Sequence, residues 1–90
     1  MKVLEILLNK HQYKGELSIP AIIAWLEEHQ VYISTSPYFE EDDTTVAFVG
    51  YQSCAYMPPF DSVYKASIYK TRSESIIMLI TQILTKGYVQ

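Results

Sequence analysis

Three glycines in ninety residues leave no loop able to cradle a phosphate through clustered backbone amides. The single cysteine, Cys54, excludes an internal disulfide and a paired-thiolate zinc site. The two histidines, His11 and His29, lie eighteen positions apart with no metal-ligand or proton-relay spacing between them. Basic residues are also short: seven against ten acids, a net charge of −3, disfavours nucleic acid or an anionic membrane as a default partner. Apolar runs stay well below the ~18–20 residues of a membrane span. The opening MKVLEILLNK carries Glu5 where a secretory signal needs an unbroken apolar stretch. Serines are common, but none sits in the glycine-flanked elbow of a hydrolase nucleophile. These absences predict a cytoplasmic protein with no catalytic centre, no metal and no cofactor.

Apolar residues are plentiful at 49%, with 19% charged, which is the balance of a globular chain. Ninety residues make one domain, residues 1–90, with room for one core and little for a deep internal pocket. The strongest element is TRSESIIMLITQILTK, residues 71–86. Thr71 and Glu74 have capping-box spacing, and Gly87 can take the left-handed conformation that ends a helix. At 100° per residue, Ile76, Ile80, Ile83 and Leu84 share a face that Ile77 and Leu79 widen, while Met78 falls opposite. A stripe this broad calls for a sheet to cover it.

Toward the amino terminus, residues 2–11 put Val3, Leu4, Leu7, Leu8 and His11 on one side of a short helix, ended by the turn at Gly15. Ser18 reads as the N-cap of a second helix with Pro20 in its first turn. Its buried stripe is Ile19, Ile22, Ile23 and Leu26, flanked by Trp25. From Val31 the period changes to two: Val31, Ile33 and Thr35 alternate with Tyr32, Ser34 and Ser36, and Pro37 either ends that strand or puts it on an edge. A second strand runs from Thr44 to about Met57, with Val46 and Phe48 on one side and Ala47, Val49 and Tyr51 on the other. Gly50 marks a bulge or bend in it. Glu40-Glu41-Asp42-Asp43 between the strands reads as a solvated hairpin tip, since four consecutive acids lack the alternation and glycine of a calcium loop. After Pro58-Pro59 and a loop through Phe60, Asp61 and Ser62, residues 63–70 alternate as a third strand. The expected fold is α+β in the order α-α-β-β-β-α. Its three-stranded antiparallel sheet has helices packed mainly on one face.

An α-β-β-β-α core shares its topology with double-stranded-RNA-binding domains. Those domains begin their final helix with lysines, whereas TRSESII carries one arginine, and the comparison ends there. The run AIIAWLEEHQ leading into VYISTSP, with the closing TRSESIIMLITQIL, resembles small proteins of unknown function from prophages and mobile elements of Bacteroides-like bacteria. The resemblance covers about a third of the chain and implies a small α+β fold with no assigned activity.

Aromatic residues are in excess: eight tyrosines, three phenylalanines and a tryptophan. With helices on one face of the sheet, the rings in and beside the strands are expected to line the other, where a phenol packs while its hydroxyl stays wet. The expected function is therefore a non-enzymatic protein-interaction module whose partner is a second copy of itself, as a homodimer, or another protein, bound through a sheet face or edge bearing Tyr32, Tyr51, Tyr56, Tyr64 and Tyr69. The alternative is a nucleic-acid accessory protein using Lys65, Lys70 and Arg72 beside the neighbouring tyrosines.

Overall fold

The computed structural model describes residues 2–60 and 63–89. In chain order these form α1 (Lys2–Lys10), α2 (Ile19–Glu28), β1 (Tyr32–Glu41), β2 (Val46–Tyr56), β3 (Val63–Lys65) and α3 (Arg72–Thr85). The strands make one antiparallel sheet in the order β1-β2-β3, the α+β arrangement that the sequence predicts. Asp61 and Ser62 of the expected loop lie outside the described residues.

Local chemistry sets the helix ends. Thr71 Oγ1 accepts the Glu74 amide at 3.1 Å and opens α3, and Gly87, at φ +77°, follows its end. Ser18 Oγ accepts the Ala21 amide at 3.3 Å and opens α2, with Pro20 in the first turn, where its missing amide is harmless.

Helix α3 is the centre of the molecule. Ser75, Ile76, Leu79, Ile80, Ile83 and Leu84 are all buried. All but Ser75 share one cluster with Leu4 and Leu8 of α1, Ile22 and Leu26 of α2, and Ala55 of β2. The sheet gives only one face to this core. Along β1 exposure alternates, with Ile33 and Thr35 turned toward the helices and Tyr32, Ser34 and Ser36 turned away. Ser53 and Ala55 of β2 are fully buried on the helix side, while their neighbours Cys54 and Tyr56 look outward. Small side chains let α3 approach closely: Ser53 Oγ lies 2.7 Å from Ser75 Oγ and 2.9 Å from Thr35 Oγ1. These three hydroxyls form a chain that satisfies each polar group within an otherwise apolar contact.

Two one-residue irregularities change which side chains share a face. Tyr38 pairs with Gly50, but Phe39 pairs with Phe48, so Val49 is an extra residue in β2. The insertion reverses the parity of everything beyond it. Phe48, expected opposite Tyr51, instead lies on the same side, with ring centroids 5.3 Å apart. Gly50 is required at this point, because a Cβ there would meet the Tyr69 carbonyl oxygen and would sit 3.0 Å from the Ile68 methyl.

The second irregularity shortens the third strand. Regular pairing holds from Val63 to Lys65, and the Ala66 amide still donates to Ser53 O at 3.0 Å. Continuing that register would set Ile68 against Tyr51, yet Tyr69 is the residue that bridges Tyr51. One extra residue is accommodated between Ala66 and Tyr69, so residues 63–70 are a three-residue strand and an isolated bridge. A further difference is Val3, expected within the α1 stripe. It is exposed on the rim of a groove of about 410 Å³ that Leu4, Ile77 and Met78 also line.

Candidate interaction surface

Beyond the bulge, β1 and β2 leave the body as a projecting arm. Every residue from Ser36 to Val49 is exposed, and among the described residues the buried core draws nothing from this stretch. The molecule measures 50 × 30 × 19 Å, with a radius of gyration of 14.3 Å, against about 12 Å for a compact chain of this length. Its accessible surface, 5991 Å², exceeds by about 600 Å² what a compact monomer of this mass presents.

The arm carries a row of apolar side chains on the side that faces the helices. Phe39 and Phe48 stack edge to face at 5.8 Å, and Phe48 in turn meets Tyr51 at 5.3 Å. Half of each phenylalanine is solvent-exposed, as is 64% of Val46 at the outer end of the row. At the inner end, the Arg72 guanidinium lies 4.7 Å above the Tyr51 ring, and Nη1 donates to Thr35 O at 3.3 Å. This row comes from the bulge. Without the extra residue at Val49, Phe48 would point to the opposite face.

The tip holds Glu40, Glu41, Asp42 and Asp43 with no base among them. Asp42 Oδ1 accepts the Thr44 and Thr45 amides at 2.9 and 2.7 Å, and both threonine hydroxyls at 3.2 and 3.0 Å. The Thr44 amide first, then the Thr45 amide and hydroxyl, hold the Asp42 carboxyl below the usual aspartate range. The carboxylate is thus committed to closing the turn.

The open edge of the arm is partly blocked. Tyr51 exchanges both backbone hydrogen bonds with Tyr69, at 2.7 and 2.9 Å, so its amide and carbonyl point away from β1. By the alternation of an antiparallel ladder, its partner Pro37 then points to the free edge of β1, where it has no amide to offer. The Thr35 carbonyl on the same edge is taken by Arg72.

The five tyrosines expected on one surface are divided. Tyr32 and Tyr56 are direct cross-strand partners on the open face, with Phe60 6.1 Å from the Tyr32 ring. Tyr64 faces the helices instead, where its hydroxyl donates to Gln82 Oε1 at 3.1 Å and its ring packs on Tyr88 and beneath Lys86. Tyr51 and Tyr69, bridged to each other, also fall on the helix side. The back of the sheet is therefore mostly short and polar, with Ser34, Ser36, Gln52, Cys54 and Lys65 along its middle. The cations of the nucleic-acid alternative are divided as well. Lys65, opposite Cys54, is on the open face, Arg72 is on the helix side, and Lys70 is an exposed residue just before α3.

Both histidines flank one ring: Trp25 has His29 at 5.0 Å and His11 at 6.5 Å, each edge to face. The His11 ring nitrogens sit 2.9 Å from Leu7 O and 3.1 Å from Val89 O, which ties the C-terminal segment to α1. Among the described residues, no group of three or more His, Cys, Asp or Glu side chains is placed to hold a metal ion. Among the same residues, no helix is long and apolar enough to cross a membrane. Comparison with family models, curated proteins and solved structures finds no match to this chain.

Proposed function

We propose that this chain is a non-enzymatic, cytoplasmic protein-interaction module that associates with itself, and that the projecting arm is its contact element. The observation that carries this reading is the row Val46, Phe48, Phe39 on a stretch of hairpin from which, among the described residues, the buried core draws nothing. A solvated hairpin gains nothing from large apolar side chains. Each phenylalanine transferred from half-exposed to buried in an interface contributes about 1–2 kcal/mol. The sequence reading placed the contact on tyrosines of the open face. The arm is better supported, because its side chains carry no hydroxyl and are more exposed than Tyr32 and Tyr56. The nucleic-acid alternative has less support, since Lys65 and Arg72 are on opposite faces of the sheet.

Sedimentation or light scattering over the micromolar range tests the reading. Self-association is expected, with loss on Phe39→Ser or Phe48→Ser while the circular dichroism of the body is retained. A strict monomer, or association indifferent to both substitutions, would overturn it.

A further inference from the structure

The order of chemistry along the arm gives more than a sticky surface. From root to tip, the helix side reads cation, aromatic, acid: Arg72 over Tyr51, then Phe39 and Phe48, then Glu41 opposite Val46. The root is also the amino-terminal end of α3, whose dipole presents partial positive charge there. Four of the ten acids occupy the tip, and without them the chain would hold six acids against seven bases. The molecule is thus an acidic tip on a slightly basic body. A strip with opposite charges at its two ends is complementary to itself when reversed, which is what a two-fold axis requires.

Resting on the self-association proposed above, we infer that the partner is a second copy docked arm to arm in reversed direction. The two apolar faces pack on each other about an axis near Phe39 and Phe48. Glu41 at the tip of each arm then meets Arg72 at the root of the other. Glu41 lies six residues along β1 from Thr35, the residue that Arg72 touches, a span of about 20 Å. A face of that length and two strands wide is smaller than the roughly 800 Å² per partner of a standard interface, which fits association in the micromolar range tested above. A parallel arrangement would bring eight acids together at one end and is excluded by repulsion. The two-fold arrangement is also compatible with the blocked edge of β1, since it uses the face of the hairpin and leaves Pro37 unpaired.

A charge-exchange experiment on the full chain tests this register. In a two-fold dimer each contact occurs twice, so Glu41→Lys sets like charges together at both ends, and so does Arg72→Glu. Each variant alone is expected to weaken the dimer about tenfold or more, with circular dichroism confirming the fold. Mixing the two variants is expected to restore a heterodimer to within about threefold of the unmodified dimer, because both contacts then join opposite charges. Raising salt from low to near molar should weaken the unmodified dimer and leave a Glu41→Gln, Arg72→Gln double variant less affected. An arm-dependent dimer whose mixed variants stay monomeric would overturn the reversed register and leave the interaction module standing. A dimer broken by Met78→Glu but not by Phe48→Ser would place the contact on the α1–α3 groove and overturn both.

Discussion

Ser53 and Ser75 meet oxygen to oxygen at 2.7 Å where β2 crosses α3, and neither side chain retains any exposed surface. The pair marks a close approach of the central helix to the sheet. Because Ser53 also bonds Thr35, it is not orphaned when Ser75 is removed. Ser75→Ala is therefore expected to cost only about 0.5–1.5 kcal/mol. Ser75→Val adds volume where none is available, and about 1–3 kcal/mol is expected from overpacking. Urea denaturation of the two variants checks the order, and a valine variant more stable than the alanine one would refute the tight approach.

The closing helix was legible before the structure because its signals are local. Thr71, Glu74 and Gly87 each act within a turn of the helix end, and the isoleucine stripe needs no knowledge of what covers it. The projecting arm was not legible. Its apolar row depends on one inserted residue at Val49, and a period of two read straight through Gly50 assigns Phe48 to the wrong face. The same arithmetic moved Tyr69, whose side is set by the extra residue after Ala66. Glycine at position 50 signalled that a bulge was present, but the direction of the slip depends on the approach of the Tyr69 carbonyl from elsewhere in the chain. Ser75 could not be recognised as buried either, since its partner Ser53 is twenty-two residues away.

Thr71 offers the cleanest test of the local signal. Its hydroxyl accepts the Glu74 amide at 3.1 Å, so Thr71→Ala should lower stability by about 1 kcal/mol. Thr71→Ser or Thr71→Asp should restore most of that loss in thermal or urea unfolding. Equal stability of the alanine and serine variants would show that the cap contributes nothing.

Gly50→Ala should act on the third strand more than on the hairpin. The added methyl would meet the Tyr69 carbonyl, so the segment from Ser67 to Tyr69 must move away from β2. Both hydrogen bonds between Tyr51 and Tyr69 would then lengthen or break. The expected readout is faster amide exchange at Tyr51 and Tyr69, with the amides of α3 little changed. Unaltered protection at both tyrosines would mean that the backbone contact is looser than described.

Asp42 makes the turn of the arm pH-sensitive in a definite direction. Donors from Thr44 and Thr45 favour the ionised carboxylate and lower its affinity for a proton in the folded hairpin relative to the unfolded chain. The unfolded state therefore takes up a proton first as pH falls. The contribution to the turn is complete above the unfolded value and is lost as pH drops through the folded one. The Thr45 amide resonance, followed by NMR through an acid titration, should report a midpoint below the usual aspartate value. Asp42→Asn keeps an oxygen acceptor and removes the charge, so it should hold the turn while abolishing that titration. Asp42→Ala should fray the tip at every pH, and if self-association runs through the arm it should weaken in parallel. A titration unmoved in the asparagine variant would assign the transition to a neighbouring acid.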